Sequence, residues 1–270
     1  MASHDAIQSS RSELKFTIDE AQSKAIREYL SGRMRADPNS AAGSYPVCSV
    51  YLDSPDDLLY QQTVQGIRNR YKLRVRIYDG DPTHPAFLEI KSRDGRAVKK
   101  KRAKVDRKVA TAMLSGETVA IDAFGTNSAF QTTNKDWIAF QEFSRLRDRV
   151  GARGTTYVYY QREAYVSPQN TDWRATFDRQ LLASPYQSGT MITIPKQTIP
   201  TRHHDTVVFE LKFTDRFPRW MQELVRAFNL ISGPFPKYLT CRDSIVPTRN
   251  NRQLPPHMMS TTGANTLGRT

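Results

Sequence analysis

Residues 71–78 alternate without a break, with Leu73, Val75 and Ile77 on one parity and Lys72, Arg74 and Arg76 on the other. Side chains two apart on a strand share a face, whereas a helix would scatter both sets around its axis. The run therefore reads as a strand with one apolar and one cationic face. Residues 86–92 repeat the pattern, with Leu88 and Ile90 against Glu89 and Lys91. Asp94-Gly95 then gives a two-residue hairpin signal and leads into 97–105, where Ala103 and Val105 oppose Lys100, Arg102 and Lys104. Three consecutive strands of this kind commit the chain to an antiparallel sheet.

Further strands are expected at 11–17, 46–53, 156–166, 173–181 and 206–213, with a short last one around 238–243. A helix should follow the first strand. Thr17 and Glu20 have capping-box spacing, Ala21, Ala25, Tyr29 and Leu30 form a stripe, and Gly32 ends it. Residues 57–66 suggest a short helical segment, and 106–114 and 134–150 two more helices. The second of these turns Trp137, Ile138, Phe143, Leu146 and Val150 to the core. Pro218 stands as a first-turn proline before Trp220, Leu224, Val225 and Phe228. The order predicts an α+β domain over 11–247, dominated by antiparallel strands with helices outside the sheet. Loose polar ends over 1–10 and 248–270 flank it.

The polar parity carries the functional signal. Across seven strands it collects Arg11, Lys15, Lys72, Arg74, Arg76, Lys91, Lys100, Arg102, Lys104, Arg162, Arg174 and Lys212, against only Glu13, Glu89, Asp178 and Glu210. Like charges on neighbouring strands repel, so a face meant only for water mixes signs. A curved sheet that gathers twelve cations against four carboxylates needs an anion to compensate. The whole chain agrees, with 40 Lys and Arg against 27 Asp and Glu and a net charge of +13. A concave basic surface concentrates polyanions.

Several classes fall away. No apolar run reaches the roughly 18 residues of a membrane span, and residues 1–5 lack the basic flank and apolar stretch of a signal peptide, so a cytoplasmic location is expected. Cys48 and Cys241 are too few for a disulfide framework or a four-cysteine zinc site. There is no Walker loop, no G-x-G-x-x-G fingerprint and no zinc-finger spacing, and most aromatics fall on core stripes, so no nucleic acid is expected. His203-His204-Asp205 reads as a solvated turn, and residues 144–149 as a solvated helix face.

The ordered motifs resemble the vacuolar-transporter-chaperone (VTC) domain, the polyphosphate polymerase branch of the triphosphate tunnel metalloenzymes. The resemblance rests on Arg11-Ser12-Glu13-Leu14-Lys15-Phe16, Ser49-Val50-Tyr51-Leu52-Asp53-Ser54, Lys72-Leu73-Arg74-Val75-Arg76, and Leu88-Glu89-Ile90-Lys91 with Lys100-Lys101-Arg102. It continues through Tyr160-Gln161-Arg162-Glu163-Ala164-Tyr165, Arg174-Ala175-Thr176-Phe177-Asp178, Phe209-Glu210-Leu211-Lys212-Phe213, Pro218-Arg219-Trp220 and Phe235-Pro236-Lys237-Tyr238.

The resemblance implies an eight-stranded antiparallel β-barrel whose interior is a basic tunnel, and transfer of the γ-phosphate of ATP to a growing inorganic polyphosphate chain with Mn²⁺ or Mg²⁺. Orthophosphate or pyrophosphate is an expected partner beside ATP and polyphosphate. Arg74, Arg76, Lys91, Arg162 and Lys212 would be catalytic, and Lys15, Lys72, Lys100, Arg102 and Arg174 would line the phosphate path. Lys237 would stand near one mouth, with Glu210, Glu89 and Glu13 as metal ligands, Glu210 the foremost. Arg74→Ala or Arg162→Ala should abolish turnover and leave the fold intact. Triphosphatase members of the superfamily are similar in opening with Glu-x-Glu-x-Lys; here Arg11 takes the first glutamate position, which favours an anionic acceptor over water. Triphosphate or polyphosphate hydrolysis and non-catalytic polyphosphate binding are the alternatives. Without a span of its own, such a chain could serve a membrane-protein partner.

Overall fold

The computed structural model describes residues 11–40, 43–95, 97–119, 132–169 and 172–246. Its main strands are β1 (Arg11–Ile18), β3 (Tyr45–Asp53), β4 (Asn69–Ile77), β5 (Ala86–Asp94), β6 (Ala97–Val105), β7 (Arg153–Val166), β8 (Arg174–Pro185) and β10 (Val207–Thr214). They form one antiparallel sheet in the order β1-β10-β8-β7-β3-β4-β5-β6. Two-residue strands β2 (Arg35–Ala36) and β9 (Ile199–Pro200) pair with β7 and β8. The eight-strand path matches the expectation; among the described residues its ends, β1 and β6, share no ladder. The β5–β6 turn falls one residue later than the Asp94-Gly95 signal suggests. Asp94 pairs with Ala97, and Gly95 takes the left-handed φ of 58° that the tight turn demands.

Helices α1 (Glu20–Ser31) and α5 (Arg219–Ala227) lie against the apolar parity of β1, β10 and β8, burying Ile26, Leu30, Met221 and Leu224 among Phe16, Phe177, Phe209 and Leu211. Helices α3 (Arg107–Ser115) and α4 (Asn134–Arg149) cover β3 to β6 through Val109, Met113, Phe140 and Phe143. Each such aliphatic or aromatic side chain contributes about 1.5–3 kcal/mol by leaving water. None of the described helices is long and apolar enough to cross a membrane.

Local chemistry shifts several expected boundaries. The cap of α1 is Asp19, whose Oδ1 accepts the Gln22 N–H, rather than Thr17. In α4 Thr133 and Asp136 form a capping box, and Ile138 faces solvent while Ala139 and Phe140 take the core. Residues 144–149 are not simply a solvated face. Arg147 is buried and donates to the carbonyls of Met113 and Glu117, satisfying the end of α3.

The largest correction concerns the last element. Residues 238–243 are not a strand; they lie in helix α6 (Lys237–Ile245), entered from Pro236. A short run containing Tyr, Leu, Thr and Cys has no decisive period, and a proline just ahead of the first turn favours a helix. Nor does this helix pack outside. Tyr238 and Cys241 join Val47, Tyr51, Val158, Tyr160, Leu181, Ala183 and Val208, which belong to the inward parity of the sheet. Thus α6 fills one half of the concave face, while the charged residues occupy the other.

Candidate functional site

Strand register converts the inward parity into rows. Arg74 of β4 lies opposite both Tyr51 of β3 and Glu89 of β5, and Glu89 lies opposite Arg102 of β6. Two residues along, Lys72, Lys91 and Lys100 stand side by side on β4, β5 and β6. Two residues the other way come Ser49, Arg76, Phe87 and Lys104. On the far side, Lys15 opposes Glu210, which opposes Thr176, and Glu13 opposes Lys212, which opposes Arg174. The sheet curls enough for its distant strands to feel one another, since Glu13 of β1 interacts electrostatically with Lys91 of β5 and Lys15 with Lys72 of β4. A bulge between Tyr159 and Gln161 of β7, opposite the left-handed Gln180 of β8, supplies part of that curl.

Two carboxylate hubs organise the cations. Glu89, with its side chain 1% exposed, meets Arg74 at 2.6 Å, Lys100 at 2.8 Å, Arg102 at 3.5 Å and Arg76 at 3.9 Å. Burial works against its ionised form, but Arg74, Arg76 and Lys100 overcome that and hold the carboxyl far below its ordinary range. Arg74 is further fixed by donating to the Tyr51 hydroxyl at 2.9 Å, and Arg76 donates to Ser49 Oγ at 3.1 Å.

The second hub pairs Glu210 with Asp178. Arg162 forks onto Asp178 through Nε at 2.6 Å and Nη2 at 2.7 Å. Lys237 donates to both carboxylates, at 2.7 Å to Asp178 and 2.9 Å to Glu210. Lys212 reaches Glu210 at 2.9 Å, and Lys15 bridges Glu13 at 3.1 Å to Glu210 at 3.7 Å. Against burial, Lys212, Lys237, Lys15 and Arg162 depress Glu210 well below the carboxylate range. Glu13, despite burial and repulsion from Glu210, is held near 2 by Lys212, Lys15 and Lys91.

Lys72 and Lys91 differ from their neighbours, because neither makes an ion pair among the described residues. Burial, opposed by Tyr51 and reinforced by Lys91, Arg70 and Lys15, pushes the Lys72 ammonium down to about 8. Lys91 is shifted down in the same sense, chiefly by loss of surrounding water with Glu13 opposing, although its side chain remains open to solvent. Lys100, although paired with Glu89, also falls to about 8, with burial the largest cause. Here the positive charge is crowded and only partly compensated.

The expected residues are therefore brought together, with two differences of place. Lys237 sits at the base of the concavity with its side chain only 11% exposed, because α6 carries it inward rather than to a mouth. Arg174 is drawn aside to Asp37 at 2.5 Å. The Arg11 side chain lies outside the described residues. His203 packs edge-on to Phe235, and no group of three or more His, Cys, Asp or Glu residues suited to a metal occurs among the described residues. Of the expected metal ligands, Glu13 and Glu210 are joined through Lys15, and Glu89 stands in the other hub.

Sequence reasoning assigned no role to four participants, Asp178, Tyr51, Asp53 and Tyr238. Asp178 was legible on the inward parity, but its fork to Arg162 was not. Tyr51 stacks on Tyr238 with ring centroids 4.5 Å apart, and the Tyr238 hydroxyl donates to Asp53 at 2.7 Å. Asp53 also accepts the N–H groups of Leu59 and Tyr60 at the start of helix α2 (Leu58–Val64). The family strand holding Tyr51 and Asp53 thus braces both Arg74 and the inner helix.

Comparison with known proteins bears on this arrangement. A family model described as the VTC domain matches residues 10–246. No curated protein matches the chain. Among solved structures, the chain is similar to a candidate adenylyl cyclase from Hippeastrum, described as having a dominant triphosphatase activity. The two share 12% identity with a TM-score of 0.49, over 87% of this chain and 95% of that one. It is also similar to a candidate adenylate cyclase from Bacillus halodurans, at 13% identity and a TM-score of 0.46, over 84% and 94% respectively.

Proposed function

The chain belongs to the VTC-domain family, and from that premise we propose that it is a polyphosphate polymerase, moving the γ-phosphate of ATP onto the end of an inorganic polyphosphate chain held in its concave face. The observation that carries the reading is the row Lys72–Lys91–Lys100, three lysines side by side on neighbouring strands with Lys91 opposite both others. Such a row is unfavourable in the free protein and favourable once phosphate oxygens lie along it.

The reaction asks for alignment and charge stabilisation rather than covalent help. An oxygen of the chain-end phosphate attacks the γ-phosphorus, the bond to the β-bridging oxygen breaks, and ADP leaves. Arg74 and Arg162, fixed by Glu89 and Asp178, set the field in which this occurs, while Lys15, Lys72, Lys91, Lys100 and Lys212 contact phosphate oxygens as mobile point charges. Arg76 and Arg102 flank the lysine row. The four inward carboxylates are poor bases, since Glu13, Glu89, Asp178 and Glu210 are all held below their usual range against burial. A weak base activates water badly. An acceptor oxygen that is already ionised needs no base, which favours chain growth over hydrolysis.

Glu13 and Glu210 fit Mg²⁺ or Mn²⁺, which take hard oxygen ligands and commonly bind through one or two carboxylates plus substrate phosphates. Such an ion would neutralise charge on the phosphate oxygens. Glu89 and Glu210 are each enclosed by four cations, and Glu210 is preferred because Lys15 joins it to a second carboxylate, Glu13.

The test is incubation of the purified protein with ATP and Mn²⁺, resolving products on a denaturing gel stained for polyphosphate and assaying orthophosphate. A ladder destroyed by exopolyphosphatase, with ADP formed alongside, is expected. Orthophosphate without a ladder would turn the reading to hydrolysis.

A further inference from the structure

The inward register continues one step beyond the lysine row. Arg70 of β4 lies directly opposite Arg93 of β5, about 6.7 Å along the strands from Lys72 and Lys91. Both arginines line a cavity of about 280 Å³ at the end of the sheet, and Arg149 enters it from the last turn of α4. Asn69, Tyr71 and Ser92 of the opposite parity and Glu142 and Leu146 of α4 share the lining, so the cavity wraps from the strand ends over the rim onto the α4 side of the sheet.

No carboxylate among the described residues pairs with these three arginines. Arg70 donates through Nη1 to the Ile67 carbonyl at 2.5 Å, and the Arg149 guanidinium stands 5.6 Å from the Tyr71 ring centre. Glu142, the carboxylate in the lining, is engaged by Lys101. Among the described residues none of the three makes an ion pair. Burial, with the Arg93 charge added, lowers the Arg70 pKa, as expected for a guanidinium crowded by its like. An ordinary solvated rim would mix signs here. The cationic rows instead run continuously from the Glu89 hub, through the lysines, to this edge.

We propose that Arg70, Arg93 and Arg149 form an outer anion subsite at the mouth of the concavity, which receives the phosphates of a long chain after they pass the lysine row. The proposal rests on the polyphosphate reading above and extends it: the rim makes affinity grow with chain length. Short phosphate ligands are held by the interior, and long ones by interior and rim together.

The test measures binding of tripolyphosphate and of long-chain polyphosphate to the full chain at fixed salt, by calorimetry, for the wild type, Arg93→Gln/Arg149→Gln and Lys91→Gln. In the double variant the ratio of long-chain to tripolyphosphate affinity is expected to fall about tenfold, whereas Lys91→Gln weakens both ligands together. An unaltered ratio in the double variant overturns the proposal, as does an equal loss for both ligands, which would assign the arginines to the interior. A wild type that binds neither ligand overturns the polyphosphate reading itself, a result distinct from failure of the rim.

Discussion

Cutting Arg162 back to Met leaves Asp178 with a buried charge and half its partners. The Asp178 side chain is 1% exposed and takes two short hydrogen bonds from Arg162, at 2.6 and 2.7 Å; only Lys237, at 2.7 Å, would remain. Removing one member of a buried ion pair costs about 3–5 kcal/mol, most of it the orphaned charge. Lys237 keeps the cost at the low end, so Arg162→Met is expected to lose about 3 kcal/mol. For a chain of this size that corresponds to a fall in Tm of roughly 6–12 °C. This reverses the expectation from alternation alone, that a charged inward arginine can be deleted without harm to the fold. Arg162→Met/Asp178→Asn should recover at least half the loss, because no lone charge is left and Lys237 retains Glu210 at 2.9 Å. Urea unfolding at pH 7, followed by far-UV circular dichroism, reads both changes as shifts in midpoint at constant slope. A single variant within about 1 kcal/mol of wild type, or a double variant no more stable than the single, would refute the account of the hub.

Other consequences follow from the same charges. Lys72→Met should raise the Tm of the ligand-free protein at pH 7 and weaken tripolyphosphate binding, because the crowded charge costs stability until an anion answers it; a Tm that falls would contradict the crowding. Lys72 and Lys100 titrate near 8 in the folded chain, below their ordinary value of 10.5. Above pH 8 the unfolded chain therefore binds more protons, so stability should rise between about pH 8 and 10 while phosphate affinity falls, measurable by parallel thermal melts and titrations. The depressed carboxylates act in the opposite window. Glu13, Glu210, Glu89 and Asp178 contribute stability that is complete above about pH 4.5 and is lost as pH falls toward 2; a Tm flat from pH 5 to 2 would remove them as stabilising pairs. Gly154 faces Tyr186 so closely that a Cβ would stand 2.6 Å from its ring. Gly154→Ala should cost about 1–3 kcal/mol by urea unfolding.

The parts of the fold set by period were legible in the chain. Alternation in β4, β5 and β6 fixed which side chains point inward, because one residue of slip would have buried Lys72, Arg74 and Arg76 in the apolar layer. The long amphipathic segment of α4 was legible for the same reason, although Ile138 and Arg147 exchanged places: an apolar side chain went to water and a charged one inward, where the end of α3 needed donors. Helix α6 was not legible. Its nine residues carry too few apolar positions for one period to prevail, and the partners that make it a helix, Tyr51 and Asp53, lie nearly two hundred residues earlier.

The candidate site divides along the same line. Membership of the inward face depends on parity and could be read from Lys15, Glu89, Lys91 and Glu210 without coordinates. Which cation answers which carboxylate depends on register between strands distant in sequence. Period therefore gave no hint that Arg162 and Arg74 are tied down while Lys72 and Lys91 make no ion pair among the described residues. That distinction decides what each can do. On the proposed reading, a forked arginine shapes the field and a lysine outside the ion pairs takes the ligand.

The most direct test of the central claim compares chain growth in wild type and Lys91→Ala, a side chain that makes no ion pair among the described residues and should not disturb the fold. With ATP and Mn²⁺, equal folded fractions of each are followed for ADP and for a polyphosphate ladder on the same gel. The account predicts a ladder with matching ADP from the wild type, and loss of both from a Lys91→Ala protein whose melting temperature is at least that of wild type. A Lys91→Ala protein that lengthens chains at the wild-type rate would contradict it, because the lysine row would then not be where the phosphates lie.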